Sequence, residues 1–272
     1  MPPEALALAL AAAFLHAGWN VLLRGSGDVE ARFAVVLALS LLLFAPVVAA
    51  TWSVSWSVVP YVAASAGLEG LYFALLIAAY RRRELSVVYP VARGSAPVLV
   101  LLGTVVVLGR QVSAGAAVGV CFVAAGVVLV RGIRRGADGV HVALAIGCAI
   151  AGYTLVDKEG LQHAASIPYL ELVLLPVALV GVPLAAARRG THALRAQLTW
   201  STLVAAVGSF GAYALILAAL RLAPAPEVAA VRETSVVIAA LLAGTFLRER
   251  VSVERLAGAV AVAGGVALIA LS

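Results

Sequence analysis

The chain has 272 residues, of which 64% are hydrophobic and 12% charged, with a mean hydropathy of +1.09. Soluble domains carry about 45 to 50% apolar residues, so this composition excludes a water-soluble globule. The formal charge of +6 comes from arginines in short connections between apolar runs, a topology signal that excludes a nucleic-acid-binding face.

A bilayer span needs roughly 20 mostly apolar residues, because hydrocarbon leaves each backbone polar group to be satisfied within the segment. Charged and Gly/Pro-rich breaks divide the chain into ten such spans, over residues 3–24, 33–51, 57–80, 85–108, 113–130, 140–157, 165–187, 198–220, 227–247 and 252–271. The opening run "MPPEALALALAAAFLHAG" lacks the basic start of a signal peptide and is interrupted by Glu4 and His16, so it is read as the first span. Trp52 and Trp56, at a span end, read as interfacial anchors. Cys121 and Cys148 fall inside spans and say nothing of redox compartment. The four histidines lack ligand spacing, so no metal is expected.

The connections divide into two sides. One side holds Arg24, Arg32, Arg81, Arg82, Arg83, Arg131, Arg134, Arg135, Arg188, Arg189, Arg195, Arg248, Arg250 and Arg255; the other, which also holds both termini, has Arg110, Lys158 and Arg221. Fourteen against three places the Arg-rich loops in the cytoplasm and both termini outside, in a bacterial-type cytoplasmic (inner) membrane.

Self-comparison at an offset of 139 aligns "YPVARGSAPVLVLLGTVVVLG" with "VAAVRETSVVIAALLAGTFLR", setting Arg93 on Arg232, Leu108 on Leu247, Ser113 on Ser252, Gly119 on Gly258 and Gly126 on Gly265. Near matches join "HAGWN" (16–20) to "IAGYT" (150–154) and "GLYFALLIAA" (70–79) to "GAYALILAAL" (211–220). The expected fold is an all-α integral membrane protein of ten transmembrane helices in two five-helix repeats, residues 1–133 and 134–272. Five is odd, so the halves are inverted. Such halves are commonly related by a pseudo-two-fold axis, with a site between them near the midplane.

At about 1.5 Å per residue, Arg93, Glu69, Tyr72 and His16 reach similar depth from the Arg-rich face, with Asn20 and Tyr89 shallower. Arg232, Glu233, Glu171 and Tyr213 reach a similar depth from the other face, with Tyr153 nearer the surface and Asp157 at the rim. The arginines are either ion-paired inside the bundle, Arg93 with Glu69 and Arg232 with Glu233 or Glu171, or they line a wet cavity. Ionised groups in hydrocarbon are costly and face a bundle interior or water, and the symmetry in depth favours the cavity. Tyr72, Tyr89, Tyr213, Tyr153 and Trp19 add apolar surface with a polar tip, suited to an amphiphilic ligand. Pro90, Gly94 and Pro97 predict an irregular helix around Arg93. Gly115, Gly119, Gly258, Gly264 and Gly265 predict close helix contacts.

The stretches "FLHAGWNVLLRGSGD" (14–28), "YFALLIAAYRRRELSVVYPVARGSAPVLVLLGTVVVLGRQVS" (72–113), "YTLVDKEG" (153–160) and "VRETSVVIAALLAGTFLRERVS" (231–252) together resemble EamA-type members of the drug/metabolite transporter superfamily. The resemblance covers nearly the whole chain. It implies a secondary transporter, often an exporter of amino acids or other small metabolites, working by alternating access around a cavity between the halves. It also implies both termini in the cytoplasm, opposite to the arginine count. Where the family often closes the fourth span with Gly-Glu, this chain has Gly109-Arg110, whereas the second copy keeps Glu249.

The resulting expectation is a non-enzymatic carrier, monomer or homodimer, without cofactor. Arg93 and Arg232 recognise an anionic group, Glu69 and Glu233 partner them or accept protons, and His16, Trp19, Asn20 and the tyrosines line the cavity. Glu69, Glu171 and His16 at membrane depth suggest proton coupling. A multidrug or quaternary-cation exporter would want no facing arginine. A membrane-embedded lipid-modifying enzyme would want a catalytic motif, and the sequence contains no HExxH, serine-nucleophile or phosphate-loop pattern.

Overall fold

The structure, a computed structural model, describes residues 1–22, 28–82, 85–131, 139–239 and 253–272. Arg24, Arg83, Arg134, Arg135, Leu247, Arg248, Glu249, Arg250, Ser252 and the end of the ninth expected span lie outside the described residues. Helices run over α1 (Pro3–Leu22), α2 (Val29–Ala50), α3 (Val59–Arg82), α4 (Leu85–Leu102), α5 (Ala114–Arg131), α6 (Val140–Gly160), α7 (Ser166–Arg189), α8 (Thr191–Arg195), α9 (Trp200–Leu222), α10 (Ala225–Arg232) and α11 (Val253–Leu271). Five of the segments are long and apolar enough to cross a membrane, 29–50, 56–79, 140–160, 166–189 and 200–222, and shorter apolar helices cover 91–107, 114–130 and 256–271. Among the described residues the only β contact is an isolated bridge, Val54 to Ala164.

Local chemistry sets the helix ends. The Asp28 side chain accepts a hydrogen bond from the Ala31 amide (3.0 Å) at the start of α2, and Thr199 accepts from Thr202 (3.3 Å) at the start of α9. Pro226 occupies the first turn of α10, where a missing amide hydrogen does no harm. α10 breaks at Glu233 and helix resumes over 234–239. The irregularity expected around Arg93 lies elsewhere: α4 is continuous through Pro90, Gly94 and Pro97, and a π-turn follows it at Gly103–Val107. Gly94 serves close packing instead, since a Cβ there would come within 3.2 Å of the Ala124 carbonyl oxygen on α5.

Packing is pairwise. α5 lies along α11, α1 along α9, α3 along α6 and α2 along α7, while α4 packs on α5, α6 and α10. The α5–α11 seam depends on missing side chains. A Cβ on Gly119 would stand 2.7 Å from the Gly265 carbonyl oxygen, and one on Gly126 would stand 2.6 Å from that of Gly258. Without a strong hydrophobic drive between helices in lipid, such close approach and its dispersion contacts hold the seam. Gly115 is also tight, 3.0 Å from the Ser272 side chain, but Gly264 faces open space and has no part in it.

Trp52 and Trp56 are exposed at the end where α2 gives way to α3, as interfacial anchors should be. Gly126→Ala should lower the thermal stability of the detergent-solubilised protein by about 1–3 kcal/mol through overpacking. Gly181→Ala, where a Cβ meets nothing within 4 Å, should leave it unchanged or slightly raised, and equal melting of the two variants would remove the seam's role.

Candidate functional site

A cavity of about 1150 Å³ lies among α1, α2, α3, α7 and α9, with Arg93, Tyr153 and Arg232 reaching it from α4, α6 and α10. Its volume comes from α3, whose inner face carries Ala63, Ala66, Gly67, Gly70, Ala74 and Ala78 at helical spacing. At the Arg-rich end the lining residues Ala74, Ala78, Val180, Leu184 and Arg188 are exposed. There Glu30 is buried yet paired with Arg188 (3.3 Å) and Arg189 (3.2 Å), tying α2 to α7.

The opposite end is pinned. Ala165 donates its amide to Ser53 and Ser55 donates to His163, each at 2.8 Å, so the connection before α3 is zipped to that between α6 and α7. Lys158 donates to the carbonyls of Leu220 and Ala223, and Arg221 to those of Leu161 (3.2 Å) and Ala164 (2.9 Å). Leu161, Leu220 and Ala223 lie at the C-terminal ends of α6 and α9, where the helix dipole favours a cation, and Ala164 lies in the connection before α7. Arg110 pairs with Glu159 at 2.7 Å on the same side.

Of the residues singled out from sequence, His16, Trp19, Asn20, Glu69, Tyr72, Arg93, Tyr153, Tyr213 and Arg232 all line this one cavity. The two polar groups expected on either side of the midplane are thus joined. Asn20 spends its amide on the His16 carbonyl (2.7 Å), and His16 packs edge-on against Trp19. Tyr72, Tyr153 and Tyr213 form a ladder with ring centroids 6.2 Å apart at each step. Glu171 and Glu233 do not line the cavity, and the side chain of Tyr89 lies outside the described residues.

The ion pairs differ from those expected. Arg93 pairs with Glu233 (Nε to Oε2, 3.0 Å), both nearly fully buried, and its Nη2 reaches Ser235 at 3.4 Å. Helical spacing allows this choice: neighbours lie about 100° apart around the axis, so Glu233 meets Arg93 of α4 while Arg232 lines the cavity. Arg232 has no carboxylate within 4 Å among the described residues and lies over the Tyr213 ring, 5.6 Å from its centroid. A ring face attracts a cation without neutralising it. The guanidinium therefore keeps its charge available to the cavity.

Glu69 Oε1 lies 2.7 Å from the Tyr213 hydroxyl oxygen instead of meeting Arg93. Asp157, expected at the rim, is buried, accepts from Ser65 (2.5 Å) and Tyr169 (2.9 Å) at one carboxylate oxygen, and lies with the other 2.8 Å from the same Tyr213 hydroxyl. Ser65 and Tyr169 escaped the sequence reading. Helical spacing carried the signal, because Ser65 lies four residues before Glu69 and Asp157 four after Tyr153, each pair on one face. Arg93→Met should destabilise the protein by about 3–5 kcal/mol by removing one member of a buried ion pair. A thermal-shift measurement in detergent checks it, and wild-type melting would show the pair to be dispensable.

Residues 138–271 match the EamA-like transporter family. A solved structure described as "Crystal structure of protein" superposes with a TM-score of 0.77 over 100% of this chain and 98% of that one, at 17% identity, a likeness of fold. No curated protein matches the sequence. With its helical, bilayer-length segments arranged about a buried polar cavity, the chain belongs to the EamA-like transporters of the drug/metabolite transporter superfamily.

Proposed function

We propose that the protein is a secondary transporter that exports small amphiphilic metabolites bearing a carboxylate, such as amino acids, by alternating access between two inverted five-helix halves. Arg232 carries this reading: a half-buried guanidinium with no carboxylate within 4 Å among the described residues, lining a cavity large enough for a metabolite and water. Tyr72, Tyr153, Tyr213 and Trp19 offer apolar faces to the rest of the ligand. An arginine lining the cavity speaks against a quaternary cation.

The inverted layout draws support from the packing. If α1–α5 exchange with α6, α7, α9, α10 and α11, the α1–α9 contact maps onto α6–α3, and α2–α7, α4–α10 and α5–α11 map onto themselves. The glycine seam obeys the same rule. Gly119 aligns with Gly258 and Gly126 with Gly265 in sequence, while in space Gly119 meets Gly265 and Gly126 meets Gly258, as a two-fold crossing requires.

The conformation fits one stage of the cycle, open at the Arg-rich end and pinned at the other. Following the arginine count, the open end faces the cytoplasm and loads the exported substrate. The other stage requires the zipped connections to part, a rearrangement of halves around a fixed site.

Two experiments test this. In proteoliposomes screened with labelled amino acids, Arg232→Gln should abolish uptake of the transported compound, and Gly70→Trp, filling open space beside Glu69, should block it without unfolding. Undiminished transport by both variants would sink the site.

Val54 and Ala164 are the narrow pair between the flanking hydrogen bonds, with Cα atoms about 4.5 Å apart, within disulfide range. In a background lacking Cys121 and Cys148, the Val54→Cys/Ala164→Cys disulfide should stop transport reversibly. An added Ala78→Cys at the mouth should then react in intact cells only with membrane-permeant maleimide. Labelling by an impermeant reagent would reverse the orientation, and transport through the oxidised protein would remove the gate.

A further inference from the structure

Tyr213 places its hydroxyl oxygen 2.7 Å from Glu69 Oε1 and 2.8 Å from Asp157 Oδ2. The hydroxyl owns one hydrogen. It donates to one carboxylate, and its contact with the other then sets lone pair against lone pair unless that carboxyl brings a hydrogen of its own. The remaining Asp157 oxygen is supplied by Ser65 and Tyr169, so the shortfall falls on this contact. Charged and titratable groups of the packed elements surround this contact. α3 brings Glu69 and Tyr72; α6 brings Tyr153 and Asp157; α7 brings Tyr169; Arg93 of α4 is engaged by Glu233; His16 of α1 lies against Trp19. Arg232 of α10 lies over the Tyr213 ring, and its charge acts on both Glu69 and Asp157.

We infer that Glu69, Tyr213 and Asp157 together hold one exchangeable proton, making this triad the proton-binding site of the carrier. The inference rests on the transporter reading above and assigns the coupling ion and its seat. Glu69 lines the cavity, whereas Asp157, Ser65 and Tyr169 stand behind it, so water in the cavity exchanges protons with Glu69.

From there the transfer balances within the triad. The Glu69 carboxyl gives its hydrogen to the Tyr213 oxygen as the Tyr213 hydrogen passes to Asp157 Oδ2, leaving Tyr213 neutral, Glu69 ionised and Asp157 protonated; the reverse restores the start. The same three residues tie α3 to α6 and α9, elements of opposite halves. Loss of the proton leaves two carboxylates facing one hydroxyl and loosens that tie, which links proton release to movement between the halves. His16 and Glu171 are not needed: His16 contacts neither carboxylate, and Glu171 lies off the cavity.

Infrared difference spectroscopy on the full-length, reconstituted, substrate-free protein reads the proton directly. Across a pH titration the wild type should show the carbonyl band of a protonated carboxyl, shifting in D2O and disappearing as pH rises. Glu69→Gln and Asp157→Asn should each remove or displace it, and Tyr213→Phe should move its midpoint by parting the two carboxyls. Should Asp157→Asn fail to fold, Glu69→Gln carries the test, since its amide still meets Tyr213. Absence of the band in the folded wild type, or a band indifferent to both carboxyl substitutions, overturns the inference. The transporter reading fails separately: a band that behaves as described while Arg232→Gln transports normally would leave the proton site standing and remove the substrate site.

Discussion

Hydrocarbon offers no partner to a charged group, and the rest of this molecule follows from that constraint. A chain this apolar must satisfy its backbone inside helices, and the few ionisable side chains within those helices must find partners or water inside the bundle. Arg93 and Glu233 solve the problem by pairing. Asp157 solves it by collecting hydroxyl donors from three helices. Arg232 is the departure, solved only by a cavity whose far wall is a ladder of tyrosines.

Two features of the backbone make that cavity possible. The inner face of α3 is built of alanine and glycine, which removes side-chain volume where the other helices would otherwise close in. At the end of α10 adjacent residues serve opposite purposes, Glu233 bracing α4 and Arg232 facing the open space, as neighbours about 100° apart around a helix axis can. On the other side of the bundle, the glycine seam between α5 and α11 supplies a rigid back against which the cavity-forming helices can be arranged.

The two ends of the cavity are held differently. At the Arg-rich end the ion pairs between Glu30 and the arginines at the end of α7 lie beside exposed lining residues. At the other end, backbone hydrogen bonds join two connections edge to edge, and Lys158 and Arg221 cap helix-end carbonyls. Such bonds are short-range and directional. They suit a closure that forms completely or parts completely, as the proposed alternating-access cycle requires.

The order of apolar runs, the charge asymmetry between their connections and the internal repeat are properties of the chain itself, because bilayer thickness and backbone satisfaction act on each segment alone. They were sufficient for an all-helical membrane protein, for the family, and for nine of the residues that line the cavity. Partner choice was not legible there. Arg93 takes Glu233 in place of Glu69, Glu69 and Asp157 share Tyr213, and Glu171 stands apart, because each outcome depends on which helix faces which. Depth along a span can be counted from sequence; rotation about the helix axis is decided by packing against neighbours, and only the assembled bundle settles it.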